Sequence, residues 1–226
     1  EMSRGLGDVY KRQGKVLVNG QVAGMGQQVE ETDTVQVGKK ILQGKQTQKV
    51  LAFYKPVGVT CTERDPHAEK KIMDMIRYPE RLTYAGRLDK DSEGLILLTN
   101  DGDLINAMMR GANRHEKEYI VKTDREITPD FLEKMAKGIY LKDLDITTRE
   151  CKIEQIGKFT FRIVLTQGVN RQIRRMCEAC GYRVKALKRI RIMNILLGDL
   201  KPGKWREVTG EELEQLQRDT GMLNRN

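Results

Sequence analysis

The chain alternates short apolar runs with polar turns, and several of these runs have the length or the alternation of β-strands. Residues 50–54 and 95–99 are almost wholly apolar and are bounded by turn residues, a pattern typical of buried strands. Residues 117–122 and 205–208 are also strand-like. The alternation at 159–165 places four apolar side chains on one face: Phe159, Phe161, Ile163 and Leu165. Each of these segments therefore predicts a strand with at least one buried face.

Helix signals occur between these strands. Asp103 is placed to cap a helix whose apolar side chains are Leu104, Ile105, Met108 and Met109. Thr128 and Pro129 suit the N-cap and first helical position of a second helix, which turns inward Phe131, Leu132, Met135 and Ala136. Thr209 and Glu212 have the spacing of a capping box and predict the start of a final amphipathic helix.

The first part of the chain is organised separately. Residues 1–13 show no apolar periodicity and look like translated read-through of a sequencing adapter, so we expect them to be non-native. Asn19-Gly20 then stands between two apolar segments, which favours a type I′ β-hairpin. We expect residues 14–45 to form a small strand unit ahead of a main domain at 49–226.

Composition narrows the class of protein. The 226 residues include 41 Lys and Arg against 32 Asp and Glu, which gives a net charge of +9 and a pI of about 9.4. A basic protein of this kind is often a nucleic-acid binder, although charge alone does not distinguish RNA, DNA and an anionic membrane surface. No apolar run reaches the length of a membrane span and no signal peptide is recognisable. We expect a cytoplasmic protein.

The pair Cys177 and Cys180 has the spacing of a metal or redox motif. A zinc site needs about four ligands, and the sequence has no second pair of this kind. Ile173, Met176, Cys177 and Cys180 instead follow the spacing of one buried helix face. We therefore interpret both cysteines as apolar helix positions in a reducing compartment, and we expect no metal.

Candidate chemistry is concentrated in two places. The first is the loop before residues 95–99, where Asp89 is either a solvated loop charge or a reactive carboxylate. The second is the segment 170–194, which has one acid, Glu178, against eight basic residues: Arg171, Arg174, Arg175, Arg183, Lys185, Lys188, Arg189 and Arg191. Such an excess of one sign favours contact with a polyanion. Lys55 suits a solvated charge and a phosphate contact equally well.

Three segments in order resemble the motifs of RNA pseudouridine synthases. The first comprises residues 86–89 (GRLD) and 94–102 (GLILLTNDG), the second is KEYIV at 117–121, and the third is QGVNRQIRRM at 167–176. The resemblance is to the RsuA/RluB/RluE/RluF branch, with finer features similar to the RluF subgroup. It implies an α+β fold with a mixed, largely antiparallel sheet flanked by helices. Residues 14–45 resemble the back half of an S4 RNA-binding domain.

The resemblance also implies roles for single residues. Asp89 matches the family's essential aspartate, which attacks the ribose anomeric carbon or assists glycal formation. Tyr119 matches the tyrosine that packs on the target base, and Arg174 matches the arginine that pairs with the aspartate, so we expect its guanidinium within about 4 Å of Asp89. Leu187 matches an apolar wall and Arg87 the residue that fills the stack vacated by the base. Further candidates for substrate binding are Arg171, Gln172, Arg175 and Lys55.

The chemistry that the family performs agrees with these residue types. A base inside a helix has to be extruded before its ribose bond is attacked, and an aromatic face recovers stacking. No redox step or external group takes part, so we expect neither metal nor cofactor. The predicted function is isomerisation of a uridine in ribosomal RNA, with 23S rRNA favoured and 16S rRNA or tRNA left open. A catalytically silent RNA-binding or ribosome-assembly protein is the alternative, and we expect a monomer.

Overall fold

The computed structural model describes residues 14–30, 33–42, 48–61, 71–110 and 114–223. The prediction that residues 1–13 are non-native lies outside this part of the chain. Two compact units divide the chain between Gln48 and Lys49.

The first unit contains a small antiparallel sheet in its described residues. Its strands are β1 (Val16–Val18), β2 (Gln21–Val22), β3 (Val35–Val37) and β4 (Lys40–Leu42), in the order β2-β1-β3-β4. Asn19 and Gly20 have φ values of 52° and 82°, as a type I′ turn requires, so the predicted hairpin is confirmed. The assignment of this unit as a partial S4 domain stays a prediction.

The second unit is built around a mixed sheet. Its strands are β5 (Val50–Lys55), β6 (Thr83–Ala85), β7 (Glu93–Thr99), β8 (Lys117–Thr123), β11 (Lys152–Gly157), β12 (Thr160–Leu165), β13 (Val184–Ile192), β14 (Ile195–Leu196) and β15 (Trp205–Glu207). A separate pair consists of β9 (Tyr140–Leu141) and β10 (Ile146–Thr147), joined by a 3₁₀ turn at Lys142–Leu144. The helices are α1 (Ile72–Met75), α2 (Gly102–Met109), α3 (Pro129–Lys137), α4 (Gln172–Ala179) and α5 (Gly210–Asp219).

The main sheet has the order β11-β12-β8-β13-β7-β5-β15, with β14 paired to β13 and β6 paired to β7. Strands β13 and β7 run parallel, whereas every other strand pair described in this sheet is antiparallel. The predicted α+β class, with a largely antiparallel sheet flanked by helices, is therefore confirmed.

The parallel contact between β7 and β13 depends on one glycine. Gly94 pairs with Arg189 and has a φ of +110°, a conformation that side chains rarely adopt. A Cβ at this position would lie 2.2 Å from the carbonyl oxygen of Arg189. The two halves of the sheet can approach this closely because residue 94 has no side chain.

Helices α3 and α4 confirm the periodicity of the sequence. The Thr128 hydroxyl caps α3 by accepting a hydrogen bond from the Phe131 N–H at 3.1 Å. In α4, three of the four predicted positions are fully buried, namely Ile173, Met176 and Cys177. These helices pack on the face of the sheet formed by β8, β12 and β13.

Three local predictions are wrong. The cap of α2 is Asp101, whose carboxylate accepts from the N–H groups of Asp103 and Leu104, because Asp103 already lies within the first turn. Thr209 is the N-cap residue of α5, as predicted, but its side chain makes no cap hydrogen bond, and the Glu212 carboxylate is bound by the Arg206 guanidinium through two hydrogen bonds of 2.7 Å. Phe159 is exposed because it lies in the turn before β12.

Candidate active site

The loop at residues 86–92 leads into β7 and is held at both ends. Leu88 is buried, and its N–H donates a hydrogen bond to the Cys61 Sγ at 3.4 Å. The Ser92 N–H donates to the carbonyl of Asp89 at 3.1 Å and closes a tight turn. Asp89 therefore lies between a buried anchor and a turn, and about a third of its side chain is exposed.

Lys55 supports this loop from below. It is fully buried, and its Nζ donates hydrogen bonds to the carbonyls of Pro56 and Val59, both at 2.8 Å, and to that of Lys90 at 3.4 Å. Burial lowers the pKa of this ammonium. Both sequence expectations for Lys55, a solvated charge and a phosphate contact, are wrong because the side chain ties two loops together inside the protein.

Arg189 holds the same loop from the centre of the sheet. Its guanidinium donates to the carbonyls of Leu95 at 2.7 Å, Gly86 at 3.2 Å and Arg87 at 3.3 Å. The side chain is 2% exposed, and no carboxylate in the described part of the chain forms an ion pair with it. This role could not be predicted from the sequence, because a basic residue in a basic segment suggests a solvated face.

Arg171 connects α4 to the loop. It precedes the helix in a left-handed conformation, with a φ of 51°. Its two terminal nitrogens bind the carboxylate of Asp91 at 3.0 and 2.9 Å, and Nη1 also lies 3.4 Å from Oδ2 of Asp89. The hydrogen bonds from Arg171 hold the pKa of Asp91 below its usual value.

Arg174 does not have the predicted partner. Its Nη2 donates to the Asp91 carbonyl at 3.0 Å and to the Ser92 hydroxyl at 3.1 Å, and Nη1 lies 3.5 Å from the Asp91 carboxylate. The ion pair to Asp89 within the described residues comes from Arg171 instead. The expectation of an Arg174–Asp89 pair is wrong, because the Arg174 guanidinium is bound to Asp91 and Ser92.

A cavity of about 290 Å³ opens beside this loop. It brings together most of the predicted site residues, namely Arg87, Asp89, Tyr119, Arg171, Gln172, Arg174 and Leu187. Leu187 is buried and forms an apolar wall, and Tyr119 is partly buried between two apolar clusters. The cavity therefore combines a carboxylate, an aromatic ring and several cations.

Two predicted residues lie outside this cavity. Lys55 is in the interior, as described above. Arg175 binds the Asn170 carbonyl at 3.0 Å and approaches the Asp143 carboxylate at 3.4 Å, so it does not line this cavity, and its role in substrate binding stays a prediction. Arg171 and Arg174 contact the loop at residues 86–92, whereas Arg175 projects from α4 toward the 3₁₀ turn that contains Asp143.

The cavity also contains residues that the sequence analysis did not single out, among them Met109, Lys117 and Arg189. A signal for Lys117 was available. It stands two positions before Tyr119 in β8, and alternate residues of a strand share a face. If Tyr119 faces the site, Lys117 faces it too.

Cys177 and Cys180 are free thiols. Burial raises the pKa of Cys177 to about 12, so its thiolate is not populated near neutral pH. Their interpretation as helix positions is confirmed. No metal-holding group of three or more His, Cys, Asp or Glu side chains occurs among the described residues.

Comparison with known proteins identifies the family. A family model described as RNA pseudouridylate synthase matches residues 49–179. The chain belongs to the RNA pseudouridine synthases. It is 44% identical over 216 residues to the dual-specificity RNA pseudouridine synthase RluF of Escherichia coli (strain K12), an alignment that covers 95% of this chain and 73% of that protein.

Other members of the family agree with this assignment. An uncharacterized RNA pseudouridine synthase of Aquifex aeolicus is 35% identical over 92% of this chain and 87% of its own length. A crystal structure of a pseudouridylate synthase superimposes with a TM-score of 0.72 and 28% identity, over 94% of this chain and 93% of the other. The family and fold predicted from the three motifs are confirmed. Within the described residues, no helix is long and apolar enough to cross a membrane.

Proposed function

We propose that this protein isomerises a specific uridine to pseudouridine in 23S ribosomal RNA, with Asp89 as the catalytic carboxylate. The observation that carries the proposal is the position of Asp89. Its carboxylate lines the same cavity as Tyr119 and lies 3.4 Å from the Arg171 guanidinium. A catalytically silent RNA-binding protein would have no use for a carboxylate in a basic cavity.

The reaction begins with extrusion of the target nucleotide, which costs a few kcal/mol of stacking and pairing. Tyr119 offers an aromatic surface to the base, and stacking of this kind recovers about 1–3 kcal/mol. Arg87, at the edge of the cavity, fills the space that the base leaves in the RNA. Leu187 closes the apolar side of the pocket.

Asp89 then acts on the ribose, either by attack on the anomeric carbon or by assisting glycal formation. Arg171 orients its carboxylate, while Arg174 holds the loop through Asp91 and Ser92. The bond between ribose and nitrogen breaks, the base turns, and a bond to carbon replaces it.

The choice of RNA rests on relatives. The RluF proteins that resemble this chain are named dual-specificity enzymes, and this favours a second RNA substrate beside 23S rRNA. The net charge of +9 suits a polyanionic partner. We further propose that the protein acts as a monomer in the cytoplasm.

The test is to map pseudouridine in ribosomal RNA and tRNA from cells with the gene, without it, and with the gene carrying Asp89→Asn. We expect at least one site in 23S RNA to lose its pseudouridine in both altered strains. Asn keeps the shape of the side chain but is not a nucleophile, so RNA affinity of the purified variant should be nearly unchanged. Full modification in the Asp89→Asn strain would remove Asp89 from the catalytic role.

A further inference from the structure

Lys117 occupies an unusual position in the cavity. It lies at the start of β8 on the same face as Tyr119, and both side chains line the pocket. The side chain is half-buried, yet its ammonium makes no hydrogen bond or ion pair to any described residue. A desolvated cation without an acceptor is unfavourable unless another molecule provides one.

The surroundings of Lys117 increase this cost. The charged side chains lining the cavity comprise five cations and one carboxylate: Arg87, Lys117, Arg171, Arg174, Arg189 and Asp89. Asp89 lies against Arg171, and Arg189 binds only backbone carbonyls, so it keeps its full charge. Burial lowers the pKa of Lys117, and the positive charge of Arg189 lowers it further. The excess of cations in the cavity therefore favours the binding of a negatively charged group there.

The substrate supplies negative charge at one stage of the reaction. When the bond between N1 of uracil and C1′ of ribose breaks, its electron pair stays on the base and is shared with the two carbonyl oxygens. A preorganised donor aimed at such developing charge is worth more in a desolvated site than in water. Tyr119, two residues away on the same face, places the base within reach of this strand.

We propose that Lys117 is a catalytic residue, whose ammonium donates a hydrogen bond to a carbonyl oxygen of the extruded uracil and stabilises the base as it leaves the ribose. The inference rests on the proposed function and adds a catalytic role for Lys117 in the same cavity.

The step is balanced without any further reactant. The N1–C1′ bond breaks and its electrons move to the base, while C1′ either bonds to the Asp89 carboxylate or forms a glycal as Asp89 takes the C2′ proton. After the base turns, C5 forms the new bond to C1′ as the bond to Asp89 breaks or as the proton returns to C2′. C5 then loses its proton and N1 gains one, so the composition of the RNA is unchanged. Lys117 keeps its three protons throughout.

The test compares Lys117→Met and Lys117→Arg with the wild type. The probe is a transcript of 23S ribosomal RNA labelled with tritium at C5 of uridine, because formation of the carbon bond releases that hydrogen to water. We expect Lys117→Met to lower the single-turnover rate by about 100-fold at saturating enzyme, the loss typical of one oxyanion donor. RNA affinity should change less than about threefold. Lys117→Arg retains the charge and should recover part of the rate.

Thermal unfolding gives an independent readout. Removal of a half-buried, unpaired charge should leave the Tm of Lys117→Met equal to or above that of the wild type. A lower Tm, or failure of Lys117→Met to fold, would assign Lys117 a structural role and overturn the inference. The matched control is Lys122→Met, since Lys122 is exposed on the other face of β8 and its loss should leave the single-turnover rate unchanged.

Two kinetic outcomes would also overturn the inference. One is a Lys117→Met rate within threefold of the wild type. The other is an unchanged single-turnover rate of Lys117→Met together with weaker RNA binding, and a slope of log affinity against log salt that is smaller by about one. That combination would make Lys117 a phosphate contact. The wild-type rate tests the proposed function, whereas the ratio of variant to wild type tests Lys117, so the two can fail separately.

Discussion

Two guanidinium groups converge on Asp91, whereas Asp89 has one ion-pair contact among the described residues, at 3.4 Å from Arg171. Asp91 is thus the structural acid of the loop. Its neighbour Asp89 remains partly exposed and lines the cavity. The two carboxylates share Arg171 as a partner, but only Asp91 is also paired with Arg174.

Arg174→Lys tests how strongly the loop depends on this anchoring. Arg174 grips the Asp91 carbonyl and the Ser92 hydroxyl, and a lysine cannot reproduce the planar fork. We expect the single-turnover rate to fall about tenfold, a change that corresponds to the free energy of one hydrogen bond to a charged group. Binding should be little changed. Arg175→Lys is the matched control, because Arg175 lies outside the cavity; equal rates in both variants would show that this anchor is dispensable.

Single residues also mark the limit of what the sequence reveals. The motif order predicted that Asp89, Tyr119 and Leu187 share a site, and the cavity brings them together. The burial of Lys55 and Arg189 could not be predicted, because their carbonyl partners lie up to 35 and 103 positions away. A local sequence pattern predicts that an isolated cation is solvated. Only the assembled fold brings together the carbonyl oxygens that accept its hydrogen bonds.

At the scale of elements, the sequence predicts a helix cap correctly where only neighbouring residues compete for the capping groups. Helix α3 begins where Thr128 and Pro129 predict. Glu212 should have capped α5, but Arg206 in β15 captures its carboxylate. The predicted cap failed because the neighbouring strand offered a charged, two-point partner for the same group.

The contact between β7 and β13 gives a test at this scale. Gly94→Ala would place a Cβ 2.2 Å from the Arg189 carbonyl oxygen, at a φ of +110°. We expect the free energy of unfolding to fall by more than about 3 kcal/mol, since backbone would have to move. Gly102→Ala is the control: a Cβ there meets nothing within 4 Å, and the change should stabilise by about 0.5 kcal/mol. Equal stability of the two variants, measured by urea denaturation, would contradict the close approach.

At the scale of the whole molecule, the predicted S4-like unit is tested by completing it. The prediction for residues 14–45 covers only the back half of an S4 domain, without the helices that carry basic residues in such a domain. Fusion of an intact S4 front half should tighten RNA binding and steepen its salt dependence, because added phosphate contacts release counterions. A fusion of equal length with its basic residues replaced by Gln is the control. An unchanged slope of log affinity against log salt would show that this unit does not touch RNA.

The parallel pairing of β7 with β13 also determines when activity appears as the chain folds. Arg189 and its carbonyl partner Leu95 are 94 positions apart, and closing so long a loop is slow compared with forming a hairpin such as β11–β12. The Leu187 wall of the cavity and the Arg189 side chain that holds the Asp89 loop both come from β13. A nascent chain therefore contains the Asp89 loop long before the cavity is complete, and becomes competent to modify RNA only after β13 has been synthesised and docked.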